Sequence, residues 1–271
     1  MKRFPDPSLG RRAFLRWAAA LAAGSALGLP GRPWAQRVVP DEPAGALPPE
    51  LAPGHIRYSG GRWQEYPTAL SSILDEVRKR TSIEPASDAQ VVDLSSDQIF
   101  EHPFLYLSGR YEFEMPSAPE VERLRRHLTY GGFLLVDDGL GSNEDGFGRM
   151  ARTLIERLFP RQPMEPLPRE HPVFRSYYLI RSVGGRQAVS QEVEGVQMGI
   201  FTPIVYCRND LGGAWAVRPD GGWMEECTPG GEPQRRTAFQ LGVNIALYAM
   251  TGNYKQDLIH HPFIQRRLNQ S

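Results

Sequence analysis

From His55 onward, short apolar runs alternate with segments whose apolar residues recur every three or four positions. Ile56-Arg57-Tyr58-Ser59 reads as a strand stopped by Gly60-Gly61, and Leu70, Ile73, Leu74 and Val77 then mark one face of a helix ending near Arg80. Gln90 to Leu94 is a second strand. Phe104-Leu105-Tyr106-Leu107, between Pro103 and Gly109, is apolar throughout, as a strand covered on both faces must be. Ser117-Ala118-Pro119-Glu120 carries the spacing of a capping box with proline in the first turn, followed by a face of Val121, Leu124 and Leu128. Gly131-Gly132 ends that helix, and Phe133-Leu134-Leu135-Val136 is a further buried strand closing on Asp137-Asp138-Gly139. Phe147, Met150, Leu154 and Leu158 form the stripe of another helix stopped by Pro160; Gly199 to Tyr206 reads as a strand, and Phe239, Val243, Ala246, Leu247 and Met250 as the last helix.

Fully apolar strands alternating with amphipathic helices predict an α/β fold, a mostly parallel sheet with helices on both faces. Pro163 to Gly199 breaks the alternation and is expected to be an insertion or an edge element. The pattern places a single domain over residues 55–252, a Pro- and Gly-rich linker over 36–54 and a C-terminal tail over 253–271.

Residues 1–35 read as an address. Gly10-Arg11-Arg12-Ala13-Phe14-Leu15-Arg16 resembles the twin-arginine consensus, with Gly10 where Ser or Thr is usual and Arg16 where Lys is usual. The Ala- and Gly-rich stretch from Trp17 to Leu29 is too short for a stable span of about twenty apolar residues, as a signal's apolar region should be. A periplasmic protein is therefore expected, exported through Arg11 and Arg12. Pro33-Trp34-Ala35 is an incomplete cleavage site, so membrane attachment through an uncleaved signal stays open, and through nothing else.

The 31 basic and 31 acidic side chains cancel, giving no electrostatic reason to expect nucleic acid or an anionic membrane as a partner. Cys207 and Cys227 would meet an oxidising compartment only after folding. A disulfide and two unrelated thiols are equally compatible with that history.

Several stretches in order resemble the family of domains of unknown function numbered 4159. They are Arg57 to Trp63, Pro103 to Gly109, Leu124 to Asp138, Leu167-Pro168 with His171 to Phe174, and Asn244 to Gly252. The resemblance implies a flavodoxin-like sheet related to class I glutamine amidotransferases and trehalose-utilisation-type proteins. It supplies no catalytic residues. Relatives often carry Gly-His-Gly after the third strand, where this chain has Gly109-Arg110-Tyr111, and no cysteine occupies a tight strand-to-helix turn. Relatives often occur with MoxR-type ATPases and von Willebrand factor A-like proteins, which implies an envelope protein partner.

In an open parallel sheet, ligands bind beyond the carboxyl ends of the strands where the strand order reverses, between the first and third strands in a flavodoxin-like order. This predicts a mouth at Gly60, Gly61, Ser108, Arg110, Asp137 and Asp138. Each has a plainer reading: the glycines as a turn, the aspartates as helix caps or as partners of Arg110. His171 and the pair His260-His261 lack the spacing of a metal set, so no metal is expected and no cofactor is indicated. Two functions follow. The favoured one is a non-catalytic, exported domain that binds a ligand or protein; the other is a hydrolase or carbohydrate-processing enzyme using Asp137 or Asp138 as base with Arg110 as anion clamp.

Overall fold

The computed structural model describes residues 51–142 and 145–268, the last helix beyond residue 250 by its backbone alone. Residues 1–35 with Arg11 and Arg12, expected to be an export signal, and most of the expected linker fall outside the described residues. No helix among the described residues is long and apolar enough to cross a membrane.

Seven strands form one sheet in the order β2-β1-β3-β4-β7-β6-β5. They are β1 (Gly54–Arg57), β2 (Gln90–Asp93), β3 (Phe104–Gly109), β4 (Phe133–Asp138), β5 (Met164–Pro166), β6 (Glu194–Met198) and β7 (Phe201–Cys207). The pairs β1–β2, β1–β3, β3–β4 and β4–β7 are parallel, whereas β5–β6 and β6–β7 are antiparallel. The expected mostly parallel α/β sheet is therefore borne out. The region from Pro163 to Gly199 supplies the antiparallel edge. The apolar run expected as one strand from Gly199 is the second arm of a hairpin, because Gly199 turns the chain at φ +64°.

Among the described residues, five α-helices cover the sheet: α1 (Ala69–Arg80), α2 (Ala118–Thr129), α3 (Gly146–Leu158), the short α4 (Leu211–Trp215) and α5 (Gly231–Leu268). The last runs on through the segment read from sequence as a tail. In α2, Pro119 lies in the first turn and Glu120 reaches back to the Ser117 N–H at 2.8 Å, satisfying an otherwise orphaned donor.

Strand alternation divides the core in two. Phe104, Tyr106, Phe133, Leu135, Val205 and Cys207 pack with α1, α4 and α5. Leu105, Leu107, Leu134, Val136, Ile204 and Tyr206 pack with α2 and α3. Each of β3 and β4 is buried over its whole length, which is why neither shows an apolar–polar alternation in sequence. Each fully buried leucine here stabilises the fold by about 1.5–3 kcal/mol.

Candidate functional site

The parallel strands bring the ends of β1, β3, β4 and β7 to one edge of the sheet. β4 delivers two consecutive carboxylates there, and the pleat sends them to opposite faces. Asp137, 1% exposed, accepts from the Tyr106 hydroxyl at 2.7 Å and from the N–H groups of Leu211 and Gly212 at 2.8 and 2.6 Å. It therefore caps α4, a helix distant in sequence. Asp138, on the α2–α3 face, accepts from the Tyr206 hydroxyl at 2.8 Å and from the N–H groups of Leu140 and Gly141, both at 2.9 Å. Burial raises both carboxyls above their ordinary value. Asp137 is pushed up to about 7, by burial first and then by the neighbouring charge of Asp210. For Asp138 burial outweighs the donors that oppose it.

Arg110 does not join these two aspartates. Its guanidinium lies 5.2 Å over the Tyr66 ring, with Asp210 at 3.4 Å, Glu225 at 3.6 Å and Glu65 at 3.7 Å. Asp210 is the hub of this cluster. It adopts a left-handed φ of +57°, which aspartate tolerates better than most residues, and caps the Gly213 N–H at 3.0 Å. It also accepts from Tyr66 at 3.0 Å and pairs with Arg186, whose other arm reaches the Gly139 carbonyl at 3.1 Å. Sequence reasoning passed over Asp210, Arg186 and Tyr66. The signal for the first was present: an aspartate three residues after the end of an apolar strand and directly before Leu211-Gly212-Gly213 is a helix cap.

The junction expected to hold the crevice is filled. Gly60 has φ +81°, and a side chain there would strike the backbone of Glu114; one at Gly61 would strike the Glu112 carbonyl. The segment after Arg110 thus folds back over the β1 loop. Phe113 anchors it, packing on Tyr58 at 4.9 Å and on Phe147 at 5.4 Å, while the Glu114 N–H donates to the Ser59 carbonyl at 2.8 Å. Ser108 is buried below, its hydroxyl 3.5 Å from His55, and its carbonyl accepts from the Tyr58 hydroxyl at 2.8 Å. An apolar residue three positions after Arg110, Phe113, closes the space that topology alone leaves open.

A groove of about 360 Å³ opens one strand further along, at the ends of β1 and β2. Arg57, Ser59, Trp63, Asp93, Ser95, Glu114 and Glu120 line it, with Tyr58, Leu94, Met115 and Pro116. Ser59 and Trp63 lie in the loop that carries Gly60 and Gly61, but Gly60, Gly61, Ser108, Arg110, Asp137 and Asp138 do not line the groove. Residues 54–250 match the family described as a domain of unknown function, DUF4159. The chain belongs to that family. A search among curated proteins gave no match.

Two further sets of residues bear on the chemistry open to this DUF4159 domain. Cys207 and Cys227 are free, buried thiols, and burial pushes the Cys207 thiol far above its ordinary value, so it is no nucleophile near neutral pH. Among the described residues no group of three or more His, Cys, Asp or Glu side chains is arranged to hold a metal ion.

Proposed function

We propose that this DUF4159 protein is an exported, non-catalytic domain of the bacterial envelope that binds a small ligand or a protein partner. The observation that carries this reading is the state of Asp137 and Asp138. Each is at most 1% exposed and accepts three hydrogen bonds from the protein itself. A general base must reach a substrate proton, and neither carboxylate has a free face. The buried Cys207 argues in the same direction against amidotransferase chemistry. The strand order β2-β1-β3-β4-β7 supports a flavodoxin-like fold, related to the glutamine amidotransferases in architecture only. The Arg11-Arg12 pattern supports delivery to the periplasm by the twin-arginine route.

The competing reading, a hydrolase or carbohydrate-processing enzyme, has one observation in its favour. The Asp137 carboxyl is pushed up to about 7, where a general acid or base works best. Its burial, with every bond of the carboxylate made to the protein itself, weighs against it.

Native mass spectrometry of the protein purified from the periplasm tests the choice. A non-covalent ligand or partner that leaves unchanged on denaturation is the expected result. Conversion of the released compound by substoichiometric protein, lost in Asp138→Asn or Asp137→Asn at unchanged stability, would overturn it.

A further inference from the structure

We infer that the edge of the sheet where the parallel strands begin faces lipid, with Ile200 and Tyr130 entering a phospholipid bilayer and the strand ends pointing away from it. The inference goes beyond the proposed binding function and does not depend on what is bound. It adds a membrane contact to the one expected of an uncleaved signal.

β1, β3, β4 and β7 run in one direction, so their first residues share an edge, opposite the edge of Asp137 and Asp138. Ile200 directly precedes β7, and Tyr130 lies three residues before β4. Leu134 of β4 is level with Ile204 of β7, and Tyr130 and Ile200 each stand four residues upstream of that pair. The two therefore lie beside each other at the starts of neighbouring strands. They are 73% and 85% exposed, more than any other large apolar side chain described. Ile200 shares its turn with Gly199, where a side chain would meet no described atom within 4 Å, so the tip stands clear. Turns are ordinarily built from Gly, Pro, Asn, Asp and Ser, and an isoleucine there holds apolar surface in water. The base beneath is firm. The Tyr248 ring lies 5.8 Å from Phe133 and 6.3 Å from Phe201, and its hydroxyl accepts from the Thr202 N–H at 2.9 Å.

The chain itself meets this edge twice, and that points to a bilayer as the occupant. Leu51 lies three residues before β1, bridged to Pro85 ahead of β2, so residues 1–50 join the domain here. Those residues include the apolar stretch from Trp17 to Leu29. Tyr248 seats α5 on the starts of β4 and β7, and residues 251–271 follow directly. They carry Ile259, Phe263, Ile264 and Leu268 with Arg266 and Arg267, the mixture of apolar and basic residues suited to a membrane interface. A second protein would need far more surface than two side chains, since stable interfaces use about 20–30 residues a side. A bilayer needs no complementary surface: tyrosine sits at the headgroup level and isoleucine below it. Burial of apolar surface drives such a contact, so a net charge of zero does not oppose it.

A polarity-sensitive dye on a single introduced thiol reads the orientation in the folded full-length protein. Cys207 and Cys227 are buried, so the dye goes to Thr129→Cys beside Tyr130 or, at the opposite edge, to the exposed Ser95→Cys. Vesicles of phosphatidylethanolamine and phosphatidylglycerol are then titrated in. A blue-shifted, brighter emission from position 129 and none from position 95 is expected. In a background of Ile200→Ser with Tyr130→Ser, the lipid concentration at half-change should rise at least about tenfold, with the thermal midpoint unaltered. Unchanged emission at position 129 overturns the inference, even if the protein sediments with the vesicles through residues 1–35. An equal change at position 95, or an unaltered half-point in the double serine variant, overturns it as well.

Discussion

Asp137 and Asp138 are consecutive in the chain, yet their carboxylates lie on opposite faces of the sheet and share no partner. Asp137 is bonded to Tyr106 of β3 and to the start of α4, Asp138 to Tyr206 of β7 and to the turn leading to α3. The two form a pair of matching clamps. A tyrosine from a neighbouring strand and two backbone N–H groups hold each carboxylate, so each ties a strand end to the connection that follows.

Asp138→Ala tests the clamp on the α2–α3 face. It leaves the Tyr206 hydroxyl and the Leu140 and Gly141 N–H groups without an acceptor. Each buried donor left unmade costs about 1–3 kcal/mol, so a total loss of several kcal/mol is expected in chemical denaturation. Asp138→Asn keeps one acceptor oxygen and should lose less. Wild-type stability in Asp138→Ala would show that the bonds are not made in solution.

The Asp137 clamp predicts a pH dependence of definite sign. Its folded carboxyl is held at about 7, above the ordinary 3.8. Between those values the native state keeps a proton that the unfolded chain has released. The contribution is therefore fully present below pH 4 and is lost as the pH rises towards 7, with a slope of at most about 1.4 kcal/mol per pH unit. Buried His55, His127 and His171 are each held down at about 4 and act with the other sign, costing stability as the pH falls from 6.5. The difference between wild type and Asp137→Asn isolates the carboxyl. The relative stability of Asp137→Asn should improve from pH 4 to pH 7, and a flat difference would show that Asp137 is ionised throughout.

The helices and central strands were legible because β3 and β4 are apolar runs bounded by Pro103, Gly131 and Gly132, and because Ser117, Pro119 and Glu120 announce α2. The edge was not. β5 has three residues and an exposed pattern, and α4 is a single turn rich in glycine, so neither produces a periodic signal. At the site, topology points to an edge of the sheet, but the partners of Arg110 come from residues 65, 210 and 225. Contacts at such separations leave no trace in local spacing. The same holds for Phe113, whose packing fills the junction between β1 and β3.

Leu134 is fully buried in β4, between β3 and β7 and facing α2 and α3. Leu134→Asp would place an unpaired carboxylate in that core, at a cost of several kcal/mol against a usual total of about 5–15. Loss of the cooperative thermal transition, or insoluble protein, is expected. A soluble variant melting near the wild-type midpoint would contradict the burial of this strand.

The export proposal is tested at Arg11 and Arg12. Paired guanidinium groups present planar, forked donors that lysine ammonium groups cannot reproduce, so recognition of the pair should not survive replacement of both by Lys at unchanged net charge. The precursor of the Arg11→Lys, Arg12→Lys variant is expected to accumulate folded in the cytoplasm, and cell fractionation with detection of the folded domain measures this. A route that translocates unfolded chains reads a basic n-region and an apolar segment and would tolerate the change. Undiminished periplasmic delivery of the double variant would therefore remove the twin-arginine route and keep a signal of the general kind. Delivery reduced to background, with the stability of the domain unaltered, would leave recognition of the arginine pair as the step that failed.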